Sequence, residues 1–169
     1  MAEKILCGTA HVFGDNINTD LISPAQYMEM SNEVIAAHAM EGSDPDFCKK
    51  VKPGDFLVAG ANFGSGSSRE TAPIALKDCG ISVVIAKFFA RIFYRNCINI
   101  GLPVLICEQA GEIGQGDALE VELGTGVIRS LTSGRTYQCA PLPENIVALI
   151  NNGGLLGDLD IRINKPKGE

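Results

Sequence analysis

The sequence predicts a single mixed α/β domain, and three observations carry that reading. Between residues 55 and 107, apolar runs of strand length alternate with segments of helical spacing, the pattern of βαβ units with parallel neighbours. From 118 to 140 the pattern changes to short strands broken by glycine turns, which reads as antiparallel hairpins. The chain has 169 residues, 46% of them apolar, enough for one sizeable core. No repeat, low-complexity tract or long linker divides it.

Taken in order, Ile5 to Phe13 reads as the first strand and Asp15 to Asp20 as a polar turn. Ser31 to Met40 carries Val34, Ile35, Ala37 and His38 at helical spacing, with Ser31 or Asn32 as cap. A polar loop at 42–46 and Pro53-Gly54 then lead into a strand at 55–60. A helix over Glu70 to Asp78, a fully apolar strand over Ser82 to Ala86, a helix over Phe88 to Cys97 and a strand over Val104 to Ile106 follow. Ala118–Leu123 and Val127–Leu131 flank Gly124-Thr125-Gly126 as a hairpin, and Arg135–Ala140 adds a third strand. Pro143 to Asn151 reads as a helix stopped by Gly153-Gly154. The polar, basic tail from Ile161 to Glu169 is expected to fray.

Lys and Arg total 14 against 20 Asp and Glu, a formal charge of −6, which argues against nucleic acid and anionic membranes as partners. No apolar run approaches the roughly 20 residues that span a bilayer, and the start of the chain has no leader-like pattern. A soluble, cytoplasmic protein is the expectation. The six cysteines (Cys7, Cys48, Cys79, Cys97, Cys107 and Cys139) include no CxxC pair, and several lie in apolar runs. They read as reduced core residues rather than metal ligands. Chemistry that needs a metal cluster would then draw it from another chain.

The densest chemical signal is Gly60-Ala61-Asn62-Phe63-Gly64-Ser65-Gly66-Ser67-Ser68-Arg69-Glu70-Thr71, set between a strand and a helix. Glycines permit close backbone approach to a ligand, a helix start favours negative charge, and an arginine grips a carboxylate or phosphate through two parallel hydrogen bonds. Better-known loops do not fit. Arg69 stands where a dinucleotide fingerprint needs its third glycine, no lysine lies in 60–76, and no serine here sits in G-x-S-x-G. The loop is an anion site of another kind, or a capped helix start with Ser67 or Ser68 as cap and Arg69 solvated.

Three ordered segments together resemble the swivelling domain of the aconitase superfamily. They are the Gly64–Glu70 run, the stretch Asp15-Asn16-Ile17-Asn18-Thr19-Asp20-Leu21-Ile22-Ser23-Pro24-Ala25, and the stretch from Phe89 to Pro103. The likeness covers nearly the whole chain, 1–169, and is to the small-subunit family of 3-isopropylmalate dehydratases in its freestanding bacterial or archaeal form. It implies the β/β/α swivelling fold and a hydro-lyase that moves a hydroxyl between adjacent carbons by dehydration and rehydration. It also implies a cluster-bearing large subunit as partner, whose [4Fe-4S] cluster binds the substrate hydroxyl and carboxylate as a Lewis acid.

The resemblance assigns roles residue by residue. Ser67 matches the base that removes a proton beside a carboxylate. A serine hydroxyl is feeble in that role unless N–H groups and cations stabilise its charge. Ser68 matches a second hydroxyl donating to substrate, Arg69 the carboxylate clamp, and Asp20 an active-site carboxylate. Thr19 reads as a turn hydroxyl. By spacing alone, Arg91 and Arg95, four apart on a helix, share a face that adds positive field near the site or is a solvated face or subunit contact. His11 and His38 are isolated in sequence and receive no catalytic role. Tyr27, Met28, Glu29 and Met30 match the substrate-selecting loop. Relatives acting on homoaconitate place an arginine near position 29 and those acting on isopropylmalate an apolar residue, so Glu29 departs from both. An acid there repels a third carboxylate, while the methionines suit a small branched alkyl group. Isopropylmalate is the favoured substrate, with dimethylmalate or citramalate next and homoaconitate last. A non-catalytic carboxylate- or phosphate-binding module and a purely structural subunit are the readings from other classes.

Overall fold

The computed structural model describes residues 4–164. Seven strands form one sheet: β1 (Ile5–Val12), β2 (Phe56–Ala59), β3 (Val83–Ala86), β4 (Val104–Ile106), β5 (Ala118–Glu122), β6 (Val127–Ser130) and β7 (Thr136–Gln138). Their spatial order is β4-β3-β2-β1-β5-β6-β7. The four strands β1 to β4 run parallel and the three on the other side antiparallel. This division is the one the two hydrophobic patterns predict. Strands β2 and β3 are buried at every residue, as expected of parallel strands covered on both faces, while β5 alternates between buried and open positions. Just past β7, the Ala140 amide donates to Ile106 O of β4 at 3.3 Å, so the two ends of the sheet meet.

The α-helices among the described residues are α1 (Thr19–Ile22), α2 (Asn32–Ala37), α3 (Phe47–Lys50), α4 (Thr71–Asp78), α5 (Arg91–Asn99), α6 (Glu144–Asn151) and α7 (Gly154–Asn164). Ala72, Ala75 and Leu76 bury one face of α4 completely, and Pro73 sits in its first turn, where a missing N–H does no harm. Phe93, Cys97 and Ile98 do the same for α5. No helix among the described residues is long and apolar enough to cross a membrane.

Several expectations need correction. The polar turn at 15–20 ends in a helical turn: Asn18 caps α1 by accepting the Leu21 amide on its side chain, 2.9 Å. The short helix α3 has too few residues to show a period and goes unpredicted. Gly153-Gly154 does end α6, but the chain turns there and re-enters a helix at Gly154. Residues 161–164 of the tail are therefore helical, and 165–169 lie outside the described residues. Cys97, Cys107 and Cys139 are buried, whereas Cys79 and Cys48 are only half-buried and Cys7 is exposed. All six are free thiols.

Candidate functional site

The site grows out of the parallel pairing of β1 and β2. Because these strands are neighbours and run the same way, the loops leaving their C-terminal ends run side by side as well. Gly60 N donates to Gly14 O, Asn16 N to Ala61 O, Gly64 N to Ile17 O and Thr19 N to Ser65 O, at 2.7–3.1 Å. The loop after β3 joins on the other side, with Phe63 N bonded to Phe88 O and Ala90 N to Phe63 O. Beneath them Phe63, Phe89 and Phe93 form an aromatic cluster with centroids 5.2–6.3 Å apart. Gly64 (φ +80°) lies against Phe93, and a Cβ there would come within 2.2 Å of the ring. Gly66 (φ +108°) makes the next turn and carries the chain out to Ser67.

This ladder brings together residues 48 and 49 positions apart. Arg69 Nε donates to Ser67 Oγ at 2.6 Å, and Arg69 Nη2 donates to Asp20 Oδ1 at 2.6 Å. Ser67 N donates to Thr19 Oγ1 at 3.1 Å, and the Thr19 and Ser67 hydroxyls are 3.2 Å apart. Ser67 and Asp20 are open to solvent, Arg69 is half-buried and Thr19 is buried. The third guanidinium nitrogen, Arg69 Nη1, is buried with no partner among the described residues, as is the Thr71 hydroxyl.

Ser67 and Ser68 do not cap the helix. Helix α4 starts at Thr71, its cap position is Glu70, and no side chain bonds to it. Both serines are exposed; among the described residues Ser68 is tied through its carbonyl, which accepts from Asn96 Nδ2 at 3.2 Å. The capped-helix alternative therefore falls. Thr19 is the residue that sequence alone casts as a turn hydroxyl. Its only signal is its place beside Asp20, since nothing local indicates that it meets a loop 48 positions on.

The segment at 27–30 matched to the substrate-selecting loop lies elsewhere in the hydrogen-bond pattern. Tyr27 stacks flat on His38, centroids 3.8 Å apart, and packs against Ile35, Ala39 and Ala75. Met28, Glu29 and Met30 are exposed, and no hydrogen bond among the described residues ties them to Ser67 or Arg69. Arg91 and Arg95 are exposed on α5. His11 and His38 are isolated in sequence but not in space. His11 Nε2 lies 2.8 Å from Asp55 and His38 Nδ1 lies 2.6 Å from Glu41.

Residues 10–109, the span that holds the whole hydrogen-bonded group, match the model of the aconitase C-terminal domain. The chain belongs to the aconitase C-terminal domain family. It is 53% identical over 154 residues to the 3-isopropylmalate dehydratase small subunit of Brachyspira hyodysenteriae, covering 90% of this chain and 94% of that one. It is 52% identical over 153 residues to small subunit 2 of the enzyme from Archaeoglobus fulgidus, covering 89% and 92%. The crystal structure of 3-isopropylmalate dehydratase from Methanocaldococcus jannaschii superimposes with a TM-score of 0.91 at 45% identity, over 98% of this chain and 100% of that one. The likeness thus extends past the family span to the antiparallel strands and the C-terminal helices.

Proposed function

We propose that this chain is the small subunit of a hydro-lyase that interconverts 2-isopropylmalate and 3-isopropylmalate in leucine biosynthesis, in the cytoplasm. The observation that carries the reading is Ser67 Oγ held by Arg69 Nε on the ladder that also brings in Asp20 and Thr19. It stands in a chain half-identical, over nine-tenths of its length, to proteins named for that reaction.

Ser67, having lost its own proton to solvent, takes the proton from the carbon beside a substrate carboxylate. The electron pair of that C–H bond forms the carbon–carbon double bond as the hydroxyl on the adjacent carbon departs. Rehydration with the positions exchanged gives the isomer. Arg69 binds the substrate carboxylate, and its charge stabilises both that group and Ser67 Oγ. Ser68 offers its hydroxyl to the substrate, and Asp20 orients Arg69. Met28, Glu29 and Met30, with Tyr27 anchoring them through His38, form the wall that selects the substrate's alkyl group. Dimethylmalate and citramalate are the related substrates against which that wall is measured.

Among the described residues, no three His, Cys, Asp or Glu side chains converge on one point. By the chain's likeness to the small subunits of this family, the [4Fe-4S] cluster is assigned to the large subunit, where it would supply Lewis-acid binding of the substrate hydroxyl and carboxylate. The test is anaerobic turnover of isopropylmalate, dimethylmalate and citramalate by this chain with its large subunit. Isopropylmalate is expected to turn over fastest, and Ser67→Ala to abolish turnover while assembly persists. Equal rates in S67A and wild type would remove Ser67 as the base, and preference for a shorter malate would reassign the substrate.

A further inference from the structure

A serine that acts as a base must be an acceptor of hydrogen bonds at the moment of reaction, and the surroundings of Ser67 supply two donors. One is Arg69 Nε at 2.6 Å. The other depends on how the Thr19 hydroxyl is oriented. Thr19 Oγ1 already accepts the Ser67 amide at 3.1 Å, which occupies a lone pair and leaves its own proton free to point elsewhere. Ser67 Oγ, 3.2 Å away, is the hydrogen-bond partner of that hydroxyl. Thr19 cannot swing away, because it is buried, opens α1, and donates its own amide to Ser65 O at 2.8 Å. Position 66 is glycine where the loop passes over it: a Cβ there would stand 3.1 Å from Thr19 Oγ1.

We infer that Thr19 is a positioning residue for the reaction, its hydroxyl oriented by the Ser67 amide so that it donates to Ser67 Oγ and, with Arg69 Nε, forms a two-donor cradle for the serine oxygen. The inference rests on the proposed role of Ser67 as base. It answers how so weak a base ionises: both donors strengthen as charge develops on the oxygen, so they favour the reactive form over the resting one. The 3.2 Å separation is long for a hydroxyl pair and leaves room for the bond to shorten as charge develops on Ser67 Oγ.

The test uses the assembled enzyme with Thr19→Val, which keeps shape and removes the hydroxyl, and Thr19→Ser, which keeps the hydroxyl. Removing one donor from a developing oxyanion costs on the order of 10²-fold, so T19V is expected to lower kcat by about that factor with KM little changed. T19S is expected to stay within a few-fold of wild type. Wild-type kcat in T19V, or equal losses in both variants, would overturn the inference. A second measurement needs neither partner nor turnover. In the S67C background, the pH dependence of alkylation of the thiol at position 67 is followed by peptide mass, with Thr19 present or replaced by Val or, if that variant does not fold, by Ala. Loss of the hydroxyl is expected to move the titration to higher pH, and an unmoved titration would refute the donation. An active S67A would instead sink the base assignment itself, and is read separately.

Discussion

Arg69 spreads one guanidinium over two partners, Nε to Ser67 and Nη2 to Asp20, while Nη1 has no acceptor among the described residues. A lysine ammonium is a single point and cannot serve directions fixed by a planar fork. Arg69→Lys is therefore expected to reduce kcat by at least about 10-fold although the charge is kept, measured on the assembled enzyme; near-normal kinetics would exclude the fork as the active element. The Asp20 contact itself is largely open to solvent, and exposed pairs of this kind contribute about 0–1 kcal/mol. Its value lies in direction rather than in stability: it holds the guanidinium plane so that Nε points at Ser67. Ser67, Arg69 and Asp20 are legible in the sequence because they stand in recognisable runs. Thr19 is not, because its partner is set by the strand next door.

At the scale of elements, the site is a product of two loops locked side by side. The 14–19 and 60–65 segments are zipped by backbone hydrogen bonds beyond the ends of β1 and β2, and the aromatic cluster supports them from below. Ligands in sheets of this kind gather outside the carboxyl ends of parallel strands, and the group around Ser67 lies there. Gly64 is the tight point of the zipper. A Cβ would meet the Phe93 ring at 2.2 Å, on a backbone with φ +80° that other residues adopt at a cost of about 1–2 kcal/mol. Crowding adds about 1–3 kcal/mol, so Gly64→Ala is expected to destabilise the chain by roughly 2–5 kcal/mol in urea unfolding. A change below about 0.5 kcal/mol, within the range of ordinary surface substitutions, would show that the loop absorbs the methyl and is not rigid. Elements marked by a continuous apolar run, β2 and β3, or by a helical period, α4, are legible to within a residue or two. The four-residue α3 and the re-entry into helix at Gly154 are not. So few residues carry no period, and a glycine pair marks a turn without specifying the element beyond it.

For the whole molecule, β1 is the joint between the parallel and antiparallel parts of the sheet, and a buried pair fastens it. Asp55, at the start of β2, accepts His11 Nε2–H at 2.8 Å, the Lys52 amide at 2.9 Å and the Thr9 amide at 3.2 Å. Burial pushes the Asp55 carboxyl up, but His11 and the two amides together outweigh it and hold the group below its ordinary value. A carboxyl depressed in the folded state contributes stability that is complete above its unfolded value, near pH 4, and is lost as pH falls through the folded value. Melting temperature is thus expected to drop below about pH 4, and Asp55→Asn to lower stability at pH 7 by about 1–3 kcal/mol while flattening the acid limb. An acid limb as steep in D55N as in wild type would assign it to other carboxylates. By itself the sequence determined the fold class, the order of the strands and of helices α2, α4, α5 and α6 along the chain, the family likeness and the serine–arginine loop, because each of these is written in local spacing. Tertiary structure alone decided that His11 meets Asp55, that Tyr27 stacks on His38 and that Thr19 lies under Ser67. Those contacts depend on which strands become neighbours and in which direction they run, and side-chain spacing along one segment carries no information about the segment beside it.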